Sequence, residues 1–138
     1  MKNLLLIAVI AATGLMACKH GHHSHESASE STLKLNAGRR WSADEITRKT
    51  FTDIRKDLEA QPVNDTAAAK KFVESQEARI AALLKGCTMQ GEAHEQLHTL
   101  IGKTNTALYA LREAKPDNLS ATMTQLKATI ALFPQYFD

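Results

Sequence analysis

Between residues 45 and 133, apolar side chains return at helical intervals in four successive runs, each closed by proline or glycine. Such a pattern restricts the chain to amphipathic helices that must bury one face each. The first run, Ile46, Phe51, Ile54 and Leu58, follows Ser42 and Glu45 at capping-box spacing, with Trp41 and Ile46 placed as a hydrophobic staple. It is expected to end near Ala60, before Pro62. The second opens after Asn64 or Asp65, runs through Ala69, Phe72, Val73, Gln76, Ile80, Leu83 and Leu84, and meets Gly86 as a C-terminal cap. A third, from Gly91 to Lys115, carries Ala93, Leu97, Leu100, Ile101, Thr104, Leu108 and Leu111 and stops at Pro116. The fourth, opened by Asp117 or Asn118, repeats Leu119, Met123, Leu126, Ile130 and Phe133 and is expected to close at Pro134.

No segment alternates as a strand would, and the connections are short. The predicted fold is therefore all-α, an up-down-up-down four-helix bundle over residues 41–138.

The beginning of the chain is of another kind. Lys2, then the apolar run "LLLIAVIAATGLM", then "LMAC" have the order of a secretory leader: charge, apolar core, small residue before a cysteine. Leu15, Ala17 and Cys18 resemble the lipobox of bacterial lipoproteins. That resemblance implies removal of residues 1–17 and lipidation of Cys18, and Lys19 after the cysteine implies the outer membrane. The rivals are a plain secretory signal and an uncleaved anchor; the apolar run is short beside the ~20 residues a bilayer span takes.

Residues 18–40 would then be the lipidated cysteine and a flexible tether. Their histidines and serines bring too little apolar surface to offset the entropy of ordering. His20, His22, His23 and His25 make this stretch a possible weak metal collector, or only a polar spacer. Without residues 1–17 the chain keeps 121 residues, 16 basic and 15 acidic, which gives no electrostatic case for nucleic acid.

Lipidation of Cys18 leaves Cys87 as the one free thiol, and it heads the stretch "CTMQGEAHEQLH". With Leu97 at zero and ~100° per residue, His94 falls at ~60° and His98 at ~100°, stacked one turn apart at the edge of the buried face. Cys87 and Met89 lie in the short loop before them, where Gly86 and Gly91 allow a tight fold back over the first turn. A thiolate there is favoured by the positive end of the helix dipole.

Cys87, Met89, His94 and His98 are thus candidate metal ligands. Thiolate and thioether suit Cu(I), with zinc the second choice because it has little use for methionine. The stretch also resembles a C-T-M-x-G-x-A-H-x-x-L-H signature of small secreted bacterial proteins, a resemblance that brings no activity with it. Read blandly, Cys87 is a small buried hydrophobe, Met89 a plug at the bundle's end and the histidines boundary residues.

Three classes of function follow. The first is an envelope lipoprotein that binds copper for tolerance, buffering or delivery, alongside an envelope metal-handling partner. The second is a helical adaptor or stress sensor working through protein contacts, with metal absent or only a switch. The third, an enzyme with Cys87 as nucleophile and a histidine as base, lacks an evident oxyanion hole, so no catalytic residue is expected. Covalent haem is excluded by the absence of C-x-x-C-H.

Overall fold

A computed structural model describes residues 32–60 and 62–138 of the chain. The leader at residues 1–17, Cys18 and the histidines His20, His22, His23 and His25 lie outside the described residues.

The described residues are all-helical: α1 (Glu45–Ala60), α2 (Thr66–Gly86), α3 (Gly91–Arg112), α4 (Leu119–Ile130) and a single turn, α5 (Phe133–Tyr136). Extended backbone contributes only isolated bridges, Asn36 with Arg39 and Trp41 with Phe137. No described helix is long and apolar enough to cross a membrane.

The caps differ instructively from the expected ones. Asp44 rather than Ser42 opens α1, because its Oδ1 accepts the Thr47 amide at 2.9 Å. Asp65 opens α2 by accepting the Ala68 amide at 2.7 Å. Pro134 does not close α4; that helix ends at Ile130, and Pro134 sits in the first turn of α5, where the missing N–H has no helical acceptor to lose. Gly86 is the last residue of α2, and Cys87 follows as the cap in extended conformation, its N–H on the Leu83 carbonyl at 2.8 Å. A Cβ at 86 would lie 2.6 Å from Ile46 Cδ1, so any larger residue there requires the tip of that side chain to move.

Helix α1 touches α2 and α4, α2 touches α3, and α3 touches α4. One apolar core lies between them, formed by Phe51, Ile54 and Leu58, by Phe72, Val73, Ile80 and Leu83, by Leu97, Leu100, Leu108 and Leu111, and by Leu126 and Ile130. Each such side chain stabilises by ~1.5–3 kcal/mol when fully buried, so the helical periodicity converts directly into packing. Leu84, in the last turn of α2, is exposed instead.

Polar groups enter this core between α1 and α2. Arg79 spans Asp53 at 3.2 Å and Asp57 at 2.8 Å, and Gln76 donates to the same Asp57 oxygen at 3.0 Å. Gln76 is fully buried, and its Oε1 has no partner.

The segments flanking the helices close over α1's entrance. The Trp41 amide donates to the Tyr136 carbonyl and the Asp138 amide to the Trp41 carbonyl, while Phe51, Phe133 and Phe137 stack in series. Residues 32–40, read from composition as tether, lie on the same surface. Leu33 is buried, the Lys34 amide donates to Gln96 Oε1, and the Trp41 indole donates to the Lys34 carbonyl. Two apolar anchors and a few hydrogen bonds hold a stretch whose average composition is polar.

Candidate metal centre

The loop of residues 87–90 joins α2 to α3 and places Cys87 beside α3's first turn and Met89 against α1. Its shape depends on Gly91, which takes φ +60°, a left-handed conformation that strains any residue with a Cβ.

A second constraint comes from α1. Asp44 Oδ2 accepts both the Thr88 amide, at 2.6 Å, and the Thr88 hydroxyl, at 3.0 Å, while Oδ1 holds the Thr47 amide. Partial burial pushes the Asp44 carboxyl up, but the hydrogen bonds from Thr47 and Thr88 outweigh it and hold the group well below the usual carboxylate range. The carboxylate, its ionised form favoured by these hydrogen bonds, therefore caps α1 and pins the residue between Cys87 and Met89 with the same side chain.

Met89 is half-buried against the core and faces α1: its Sδ accepts the hydroxyl of the fully buried Thr47 at 3.6 Å. The thioether thus has a hydrogen-bond partner of its own.

Cys87, His94 and His98 meet in series. Cys87 Sγ stands 3.7 Å from His94 Nδ1, and His94 Nε2 stands 2.9 Å from His98 Nε2. Four residues apart on α3, the two rings meet edge to face, with centroids 4.4 Å apart and planes at 72°. His94 and Cys87 are half-buried and His98 is exposed. The His94 ring is the middle link, one nitrogen toward sulfur and the other toward the second imidazole.

That order limits what one ion can take. A ring cannot turn both nitrogens to the same centre, so Cys87 and His98 lie on opposite edges of His94. In keeping with this, no three His, Cys, Asp or Glu side chains among the described residues form a group that could hold a metal. Cys87 and His94 are left as a pair: zinc-length bonds of ~2.3 Å to sulfur and ~2.0–2.1 Å to nitrogen would span their 3.7 Å separation at ~115–120°.

Asp44, Thr47 and Thr88 border this series, and the sequence pattern assigned Asp44 and Thr47 no place in it and Thr88 only a place in the signature. Asp44 and Thr47 stand at cap spacing, but Ser42 and Glu45 two residues earlier compete for the same role. Nothing local marks Thr88 as Asp44's partner, because the two are 44 positions apart.

No protein-family model, no curated protein and no solved structure matches this chain.

Proposed function

We propose that this protein is a bacterial envelope lipoprotein that binds a soft transition metal, Cu(I) first and zinc second, for tolerance, buffering or delivery. The lipid on Cys18 anchors it, by the lipobox resemblance to the outer membrane, and the helices form an up-down-up-down bundle that presents the site at one end. Short connections and the closed series of contacts from α1 through α4 support that topology.

One observation carries the reading: the thiol of Cys87 and the imidazoles of His94 and His98 stand in unbroken contact at the end of two helices. Cys87 supplies a thiolate, the histidine pair supplies imidazole, and Met89 is the weaker thioether donor. This donor set suits Cu(I) better than a hard cation. The protein is not an enzyme in this reading, and its partner is another envelope metal-handling protein. The tether histidines add weak capture.

The test is a Cu(I) titration of the mature protein under reducing conditions, beside Cys87→Ser and His94→Ala. A large loss of affinity in both variants supports the proposal. Equal affinity in all three removes it and returns the chain to the class of helical adaptors, which would retain a protein partner without metal.

A further inference from the structure

We infer that Cys87 Sγ and His94 Nδ1 are the two strong protein donors of this site, and that His98 is a positioning residue that orients His94 rather than a ligand. The inference rests on the soft-metal reading above and divides the roles within it.

The two gaps in the series differ in kind. Sulfur and nitrogen 3.7 Å apart are within reach of an S–H···N hydrogen bond, and once the thiol proton is lost they also have the spacing of two donors that share an ion. Two imidazole nitrogens 2.9 Å apart have the spacing of an N–H···N hydrogen bond. Sharing one tetrahedral ion would part those nitrogens to ~3.3 Å, whereas at 2.9 Å two bonds of ~2.0–2.1 Å must close to roughly 90°. A metal can take the place of the thiol proton in the first gap as it stands, whereas the second gap fits a proton only.

Proton accounting then determines the tautomers. A neutral imidazole carries one N–H. With Nδ1 engaged, His94 keeps its proton on Nε2 and donates it to His98 Nε2, which must be the acceptor and so carries its own proton on Nδ1. Cys87 gives up its thiol proton to solvent when it becomes the thiolate donor, and nothing else in the series changes protonation. This is the arrangement in which a metal-bound histidine is aimed by a partner on its other nitrogen. Because His98 is exposed and half-buried Cys87 and His94 furnish two strong donors beside the weaker Met89 thioether, a coordination position stays open to an exchanging ligand.

The test uses the full mature chain with Cu(I), a diamagnetic ion, and three variants: His94→Ala, His98→Gln and His98→Ala. Nitrogen-15 NMR of the loaded wild type should show His94 with an unprotonated Nδ1 and a protonated Nε2. X-ray absorption should give one imidazole nitrogen from the bundle and one cysteine sulfur. His98→Gln, whose side-chain oxygen can accept from His94 Nε2–H, should hold Cu(I) within about threefold of wild type, and His98→Ala should lose ~10–100-fold while His94 loses its single tautomer. Two bundle imidazoles in the absorption data, a proton on His94 Nδ1, or a His98→Gln loss equal to that of His94→Ala would overturn the inference and leave the copper reading standing. Absence of Cu(I) binding by the wild type would remove both.

Discussion

Asp44 and Thr88, one at the mouth of α1 and the other in the loop between α2 and α3, are joined twice, through the Thr88 amide and the Thr88 hydroxyl on one carboxylate oxygen. The same carboxylate caps α1 through Thr47. Replacing it should loosen a helix end and the cysteine loop together. Asp44→Ala is expected to cost ~1–2 kcal/mol in urea unfolding, the upper range for a lost cap, and to raise the exchange rate of the Thr88 amide. Unchanged exchange at Thr88 would show that the loop is held by other means.

The Asp44 contribution has a definite pH signature. Its folded pKa is lowered, so the stabilisation is full above the unfolded value near ~3.9 and is lost as pH falls through the folded value. The stability difference between wild type and Asp44→Ala should therefore stay flat from neutral pH down to about pH 5 and shrink only in more acid solution. A difference that vanished around pH 6 would point to another group.

Gly86 and Ile46 make a testable pair. A Cβ at 86 meets Ile46 Cδ1, yet Gly86 is within α2 and alanine is the better helix former by ~1 kcal/mol. Gly86→Ala alone should be near neutral or mildly destabilising. In an Ile46→Ala background, which removes the obstructing Cδ1, the same change should stabilise by up to ~1 kcal/mol. Identical effects in both backgrounds, read from denaturant midpoints, would exclude the contact as the reason for glycine.

Gln76 buries a carbonyl without a partner in the α1–α2 interface, while Asp57 keeps Arg79 if the amide is removed. Since an unsatisfied buried acceptor costs ~1–3 kcal/mol, Gln76→Leu should preserve or raise stability, despite losing one hydrogen bond. A loss of more than ~1 kcal/mol by calorimetry would show that the amide serves the network.

Met89 divides its sulfur between packing and any metal. Met89→Leu keeps the volume and removes one acceptor of the buried Thr47 hydroxyl, which also bonds the Asp44 carboxylate, so stability should fall by less than ~1 kcal/mol. Its Cu(I) affinity should fall at least tenfold less than that of Cys87→Ser, as suits the weaker thioether donor. Parity of the two losses would make Met89 a full ligand.

Helix number, helix order and most of the core were legible in the chain because apolar spacing and punctuation by Pro62, Gly91 and Pro116 are local properties. So was the stacking of His94 on His98, which follows from four-residue spacing on any α-helix. Other features depend on residues far apart in the chain. Asp44 displaced Ser42 as the α1 cap while also holding Thr88, and Leu33 found a buried place within a polar stretch. Gly86 has no positive φ and lies instead against Ile46 Cδ1 of a distant helix. Periodicity can say which face of a helix carries a donor, but only packing decides what that donor meets. It turned Met89 toward Thr47 and arranged Cys87, His94 and His98 as a series rather than a ring, because the two edges of one imidazole face opposite ways.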